Sequence, residues 1–162
     1  MNIVLVEPEI PQNAGNIVRT CSATGSNLYL VRPLGFELSD KHYKRAGLDY
    51  HDFANVKIVD SFEEIYEANK DKQFFFASTK SKKTYTDVTY KEDCFIVFGK
   101  ESFGLRESLL KQHYDDCIRI PIMPERRSLN LSNSVAIIVY EALRQQNFKN
   151  LQTTGELTGR VD

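Results

Sequence analysis

Polar residues that could bind a ligand follow the first predicted strand of this chain. Asn13, Asn16 and Arg19 fall in the first turns of a predicted helix, and Asn16 and Arg19 share one helical face because they lie three residues apart. This face is polar, whereas the stripe at residues 14, 17, 18 and 21 of the same helix is apolar, so the polar face could meet a ligand. The alternative is an ordinary capped helix with an exposed arginine. The segment does not match GxGxxG, so a dinucleotide-binding fingerprint is absent.

Two later segments also have the composition of ligand-binding loops. Gly99 and Gly104 bracket a short loop after an apolar strand, and glycines there let the backbone approach a ligand closely. Four small polar residues gather where the most apolar helix begins: Ser128, Asn130, Ser132 and Ser134. One such residue is enough to cap a helix. Each segment alone could equally be a plain strand-to-helix turn or a helix cap.

Histidine and cysteine are not arranged as a metal site. Cys21, Cys94 and Cys117 are widely spaced, no CxxC pair exists, and His113 lies four residues before Cys117 without a further ligand nearby. We therefore expect no metal, and three reduced, buried thiols. No apolar run approaches the ~18 residues of a membrane span, and the start of the chain lacks the pattern of a signal peptide. These features predict a cytoplasmic protein without a membrane segment.

The elements that must position these residues alternate between strand and helix. Short apolar runs predict strands at 2–6, 28–31, 56–60, 74–77, 95–98 and 117–120, and helical patterns predict helices at 13–24, 40–48, 61–69, 106–113 and 130–146. This order predicts an α/β fold with a mainly parallel sheet and helices on both faces. In such sheets ligands bind at the carboxyl ends of the strands, which is where the three polar segments lie.

Length and charge narrow the possible partners. The 162 residues predict a single domain over residues 1–150 and a polar, flexible tail over 151–162. With 21 basic and 22 acidic residues the net charge is −1, so any nucleic acid must meet a local basic patch rather than a basic surface. Three patches are candidates, although each could be an ordinary solvated face: Lys80, Lys82 and Lys83; Lys41, Lys44 and Arg45; Arg126 and Arg127.

Taken in order, the three polar segments resemble the signature motifs of the SPOUT superfamily of knotted RNA methyltransferases. The matching stretches are Pro11–Thr20, Phe98–Leu105 and Ile120–Ser132. The resemblance covers residues 1 to about 148. It is strongest to a small, single-domain branch that methylates the 2′-oxygen of the tRNA wobble nucleotide, which residues 45–51 also resemble.

The resemblance implies a fold and a set of site residues. It implies a deep C-terminal trefoil knot, which general fold rules make very unexpected. It also implies S-adenosylmethionine as cofactor, bound by Ala77, Gly99, Ile120 and Ser128, with Ile122 and Leu129 as further contacts. A side chain at Gly99 is expected to enter the space that this ligand needs. Catalytic roles are implied for Arg19, Asn13, Glu101, Ser128 and Asn130; we expect the asparagines to position the loops and Glu101 to hold Arg19 or the knot loop.

The implied reaction is methyl transfer to the ribose 2′-hydroxyl of nucleotide 34 in a tRNA anticodon stem-loop, so DNA should not react. The resemblance implies Arg19 as the base, helped by an RNA phosphate, although a guanidinium does not lose its proton in proteins. Arg19 could instead clamp a phosphate and orient the hydroxyl while a phosphate oxygen or water takes the proton. The resemblance also implies a homodimer, and residues 135–140 are apolar on nearly every side of their helix. Three alternatives stay open: methylation of another RNA such as rRNA, a non-catalytic RNA- or nucleotide-binding module, and a plain doubly wound nucleotide-binding enzyme.

Overall fold

Apolar runs of four or five residues form a single parallel sheet. The computed structural model describes residues 1–37, 55–157 and 159. Within them the strands are β1 (Asn2–Val6), β2 (Asn27–Val31), β3 (Val56–Val59), β4 (Phe74–Ala77), β5 (Phe95–Phe98) and β6 (Cys117–Ile118). Their order across the sheet is β3-β2-β1-β5-β4-β6, and all five pairings are parallel. The predicted α/β class is confirmed, and the predicted helix at 40–48 lies outside the described residues.

Local capping chemistry sets the helix ends. The helices are α1 (Pro11–Thr24), α2 (Phe62–Ala68), α3 (Glu107–Gln112) and α4 (Leu131–Gln145). The first begins two residues earlier than predicted because Pro11 suits the first helical position, where its missing N–H is not needed. Gly25 ends it in the left-handed conformation, with φ of 66°. At α2 the Ser61 hydroxyl accepts a hydrogen bond from the Glu64 nitrogen and donates one to the Glu64 carboxylate, so Ser61 is the predicted N-terminal cap.

The strands are apolar throughout because both faces of the sheet are covered. Side chains alternate between two cores along each strand: Ile3 and Leu5 pack with α1 and α4, whereas Val4 between them packs with α2 and α3. Each face therefore carries one pair of helices.

The edge strand β6 is shorter than predicted. It pairs with β4 only at Cys117 and Ile118, because β4 itself ends at Ala77 and offers no further partner. Arg119 instead makes one isolated parallel bridge with Thr84, in the irregular segment after β4. The chain from residue 119 onward is thus released from the sheet early, and it forms the loop that leads into α4.

The C-terminal segment packs further along than its composition predicts. Phe148 and Leu151 lie against the core formed by α1 and α4, while residues 152–157 are exposed. Residues 135–140 of α4, which are apolar on nearly every side of the helix, are not all buried: Val135, Ile138 and Val139 are buried, but Tyr140 is 49% exposed. Among the described helices, none has the length and apolar character needed to cross a membrane.

Candidate active site

A cavity of about 720 Å³ opens at the carboxyl ends of β4, β5 and β6. Its volume is typical of a pocket for a small organic ligand, and its position is the one that parallel sheets favour for ligands. All six residues predicted to bind a cofactor line it: Ala77, Gly99, Ile120, Ile122, Ser128 and Leu129. Four of the five predicted catalytic residues also line it: Asn13, Glu101, Ser128 and Asn130. The three polar segments of the sequence therefore meet at one site.

The cavity combines an apolar floor with a polar wall. Ile118 and Ile138 are almost fully buried and line it from the last strand and from α4. Residues 99–104 also line the cavity, and the peptide groups of this loop can offer hydrogen bonds. A flat apolar slot beside backbone donors and acceptors suits a nucleobase such as adenine.

Glu101 holds the start of α1 against the loop after β5. Its carboxylate accepts hydrogen bonds from the backbone nitrogens of Glu9 (2.8 Å) and Ile10 (3.2 Å) and from the Asn13 side chain (2.9 Å). An anionic acceptor at these positions satisfies amides at a helix N-terminus, where negative charge is stabilised. Glu101 thus bonds the first segment to the second.

Asn13 and Asn130 extend this chain of hydrogen bonds to the third segment. Asn13 is only 5% exposed, and its side-chain oxygen accepts a hydrogen bond from the amide of Asn130 at 2.9 Å. The Asn130 oxygen in turn accepts from the backbone nitrogens of Ser132 and Asn133, so it caps α4. Hydrogen bonds through Asn13 and Asn130 therefore join all three segments.

Glu9 and Ser102 make a second link that the sequence analysis missed. While the Glu9 nitrogen donates to Glu101, the Glu9 carboxylate accepts from both the backbone nitrogen (3.0 Å) and the hydroxyl (2.9 Å) of Ser102. The two loops are therefore bonded reciprocally. The available signal was an acidic residue three positions after β1 and a serine inside the glycine-bracketed loop, which alone do not indicate a contact.

Gly99 is required by the backbone rather than by the ligand. A Cβ atom at this position would lie 2.0 Å from the carbonyl carbon of Gly104 and 2.1 Å from the nitrogen of Leu105. The same loop is closed by the Gly104 nitrogen, which donates to the Lys100 carbonyl at 2.8 Å. The expectation that a side chain at Gly99 would enter ligand space was wrong, because the chain itself occupies that direction.

Glu7 is a further charged residue that the sequence analysis missed. It follows β1 with a left-handed φ of 53°, and its side chain is only 14% exposed. A hydrogen bond from Lys100 (3.1 Å) is the main cause that holds the pKa of Glu7 below its ordinary value of 4.5. Arg106, which also bonds Glu7, lowers the pKa further, whereas burial acts in the opposite direction. The pair Glu7–Lys100 ties β1 to the loop after β5.

The lowered pKa of Glu7 predicts an acid-dependent contribution to stability. A depressed folded-state pKa adds to the free energy of unfolding above the unfolded value near 4.5, and that contribution is lost as the pH falls through the folded value. We expect Glu7→Gln to lower the free energy of unfolding at neutral pH and to have a shrinking effect below about pH 4.5. Denaturant titrations across this range measure it. Glu63→Gln, at an exposed carboxylate in α2, is the matched control, and an equal pH dependence in both variants would contradict the assignment.

Arg19 is the predicted catalytic residue that does not line the cavity. It is exposed on α1, six residues beyond Asn13, which places it about 9 Å further along the helix axis. Asn16 is exposed on the same side, as the three-residue spacing predicts. Within one chain, the guanidinium therefore belongs to an outer face and not to the cavity wall.

The predicted RNA-binding cations occupy different settings. Lys80 lines the cavity and pairs with Glu107 at 2.6 Å, while the Lys83 amine donates to the Asp115 carbonyl. Lys82 lies over the Tyr114 ring at 5.8 Å. Arg126 is exposed in the loop before α4, next to Arg127, which lines the cavity. Lys41, Lys44 and Arg45 lie outside the described residues, as do residues 45–51 as a whole.

The thiols have no site-forming neighbours in the described chain. Cys21, Cys94 and Cys117 are free and buried. Burial raises the pKa of Cys21 and of Cys94 to about 12, so neither is a thiolate at neutral pH. Among the described residues, no group of three histidine, cysteine or acidic side chains is placed to hold a metal ion.

The fold and the site together define an α/β ligand-binding domain with a nucleoside-sized cavity at the ends of its parallel strands. The comparisons then identify the family: the chain belongs to the SpoU rRNA Methylase family, whose model matches residues 1–140. The resemblance to SPOUT methyltransferases is thereby confirmed.

Named relatives and solved structures are similar over nearly the whole chain. A Bacillus subtilis protein, provisionally named tRNA (cytidine(34)-2′-O)-methyltransferase, is 51% identical to this chain. The similarity spans 94% of this chain and 97% of the Bacillus protein. An Escherichia coli protein that carries the same name without the provisional mark is 43% identical. The similarity spans 91% of this chain and 95% of the E. coli protein. A structure described as giving insights into 2-OH methylation of C/U34 on tRNA is 40% identical, with a TM-score of 0.84 and coverage of 91% and 97%. At 22% identity, AviRb from Streptomyces viridochromogenes, solved with AdoMet, shares the fold (TM-score 0.77; 91% and 58% covered).

Proposed function

We propose that this protein transfers a methyl group from S-adenosylmethionine to the ribose 2′-hydroxyl of the wobble nucleotide, position 34, of tRNA. The observation that carries the proposal is the meeting of the three motif segments at one cavity, bonded together through Glu101, Asn13 and Asn130. Similarity to relatives named for this reaction supports the choice of substrate. A C-terminal trefoil knot is part of the proposal, supported by the fold likeness to SPOUT enzymes.

The residues of the cavity fit S-adenosylmethionine. Ile118, Ile120 and Ile138 offer apolar walls to an adenine ring, and the backbone of residues 99–104 offers polar groups to its edge. The volume of about 720 Å³ suffices for a nucleoside with an amino-acid arm. When bound, this cofactor supplies a methyl group activated by a positively charged sulfur, which leaves as a neutral thioether and needs no acid.

The protein's task is then alignment and removal of one proton. The ribose oxygen forms the new bond to the methyl carbon while the carbon–sulfur bond breaks, and the hydroxyl proton passes to a phosphate oxygen or to water. We assign Arg19 to hold an RNA phosphate with its planar guanidinium and so to orient the hydroxyl. Glu101, Asn13 and Asn130 hold the loops that shape the cavity, and Ser128 lies at its mouth for the cofactor or the ribose.

A homodimer reconciles the position of Arg19 with this role. Asn16 and Arg19 lie exposed on α1, and Tyr140 is 49% exposed on α4, which packs beside α1. An exposed aromatic ring and exposed polar side chains on two neighbouring helices are a composition typical of an interface. We propose that the two helices meet their counterparts in a second copy, so that Arg19 of one subunit completes the site of the other.

We expect Tyr140→Asp to dissociate the dimer and to abolish methyl transfer, because a charge would be buried without a partner at the interface. Sedimentation velocity and initial rates measure the two effects. Ser108→Asp, at an exposed serine of α3 on the opposite face of the sheet, is the control for an added charge. A monomeric wild-type protein with full activity at micromolar concentration would contradict the dimer.

The substrate is tested with three RNAs and labelled S-adenosylmethionine. We expect methylation of an isolated anticodon stem-loop, none of the variant with 2′-deoxyribose at position 34, and none of a ribosomal RNA fragment. Equal labelling of the deoxy variant would rule out ribose methylation there. Labelling confined to the ribosomal fragment would indicate the rRNA alternative, and cofactor binding without transfer to any RNA would indicate the non-catalytic alternative.

The protein's setting follows from the same proposal. A tRNA substrate and three buried free thiols favour a reducing, cytoplasmic location. Single-stranded loop nucleotides expose their bases and 2′-hydroxyls, so an anticodon loop is an accessible substrate. DNA lacks the 2′-hydroxyl and is not expected to react.

A further inference from the structure

Three apolar side chains are exposed at the mouth of the cavity. Phe103, in the loop between Gly99 and Gly104, is 84% exposed, and Ile10 and Leu129 are 42% and 40% exposed. All three line the cavity. Single exposed apolar residues are common on protein surfaces, but a group at the entrance of a ligand site indicates an interaction surface.

The exposure of Phe103 does not result from a loosely held loop. On one side of it, Ser102 donates two hydrogen bonds to the Glu9 carboxylate. On the other, the Gly104 nitrogen donates to the Lys100 carbonyl at 2.8 Å. Both neighbours are thus fixed to the body of the protein, and the aromatic ring is held outward by an anchored loop.

Cations surround the same mouth. Lys80, Lys100 and Arg127 line the cavity. Lys80 pairs with Glu107 and Lys100 with Glu7, whereas Arg127 makes no ion pair within the described residues. An exposed aromatic ring beside cations is the arrangement with which proteins bind single-stranded nucleic acid: the ring stacks on a base and the cations meet phosphates. This combination favours an RNA loop over an apolar protein partner as the occupant.

We propose that Phe103 stacks on the base of the nucleotide whose ribose is methylated. The inference rests on the proposed function, because the 2′-hydroxyl must reach the cavity and its own base is attached to the same sugar. A base drawn out of the anticodon loop loses its stacking partners, and Phe103 replaces one of them. Stacking on a ring accepts any base, so Phe103 contributes affinity and position without selecting among bases.

Steady-state kinetics with an anticodon stem-loop test the role of Phe103. We expect Phe103→Ala to raise the KM for RNA on the order of tenfold, with kcat and cofactor affinity nearly unchanged. Phe103→Trp keeps an aromatic ring at this position and should have a KM near that of wild type. On a stem-loop that lacks the base at position 34, wild type and Phe103→Ala should have equal KM values. Leu157→Ala, at a fully exposed residue remote from the cavity in sequence, is the control.

Fluorescence separates this inference from the proposed function. With 2-aminopurine at position 34, stacking on Phe103 quenches emission in the complex with wild type and with Phe103→Trp, and less so with Phe103→Ala. Quenching without methylation would support the stacking and refute the proposed reaction. Methylation without any difference in quenching would refute the stacking and leave the reaction standing.

The remaining outcomes each overturn the proposal. An equal rise in KM on the abasic stem-loop would show that Phe103 does not contact that base. A loss of cofactor affinity in Phe103→Ala would make the ring a cover over the cofactor, and dissociation in sedimentation would make it an interface residue. Unchanged kinetics in Phe103→Ala, or no binding of the stem-loop by wild type, would also refute it.

Discussion

Replacing Arg19 with alanine is expected to lower kcat on the order of a hundredfold or more while leaving the affinity for S-adenosylmethionine nearly unchanged. Arg19 lies on the outer face of α1, whereas the predicted cofactor residues line the cavity beside the later strands. Loss of the guanidinium therefore removes the proposed phosphate contact without touching the cofactor walls. Single-turnover rates and calorimetric titration of the cofactor measure the two effects separately.

Two further variants sharpen the Arg19 experiment. Arg19→Lys keeps the charge but loses the planar pair of donors, so we expect it to recover only a small part of the lost rate. Gln12→Ala, at another exposed position of α1, should leave both quantities near wild type. If Arg19→Ala instead weakened cofactor binding while turnover per bound cofactor stayed normal, Arg19 would belong to the cofactor site.

Replacing Gly99 with alanine adds one methyl group, and we expect it to disturb the structure of the site more than alanine at the other glycine of this loop, Gly104. The new Cβ atom would lie about 2 Å from the backbone of Gly104 and Leu105, and backbone atoms cannot move aside as a flexible side chain can. We expect destabilisation of about 3 kcal/mol or more, and loss of cofactor binding because the loop that forms the cavity wall is displaced. Denaturant unfolding and cofactor titration measure both.

Gly104→Ala is the matched control for Gly99→Ala. Its φ is +70°, so a side chain there is strained by about 1–2 kcal/mol, but a Cβ atom would meet nothing within 4 Å. We therefore expect a modest loss of stability and preserved cofactor binding. Equal effects of the two substitutions would show that backbone strain, and not the contact of a Cβ atom at Gly99 with the backbone of Gly104 and Leu105, determines the loss of stability.

The local elements were largely predictable from the sequence. Continuous apolar runs indicated β1, β2, β4 and β5 as strands covered on both faces, and a proline, a glycine and a capping box marked helix ends within about two residues. These signals act over one strand or one helical turn. The exception, β6, was predicted two residues too long because its length depends on where its partner β4 ends.

The candidate site was predictable as a set of residues but not as an arrangement. Order and type of the three motifs, together with the family resemblance, indicated Asn13, Glu101 and Asn130. Their actual partners could not be derived, because the bonds Asn13–Glu101 and Asn13–Asn130 join residues 88 and 117 positions apart. Which distant loops meet depends on the order of strands in the sheet, and no local pattern encodes that order.

The sequence by itself thus determined the α/β class, the element ends and the chemistry available at the site. Only the tertiary structure decided that Glu101 and Glu9 bond the first two loops to each other, and that Arg19 lies outside the cavity of its own chain. It also decided that Gly99 must be glycine, because the backbone of Gly104 and Leu105 occupies the place of a Cβ atom. The physical reason is one of range. Periodicity, capping and turn chemistry are short-range properties, whereas the bonds between the loops after β1 and β5 form only when these strands lie side by side. The close approach at Gly99 lies within one loop, but it depends on the exact backbone path of that loop, which residue types alone do not specify.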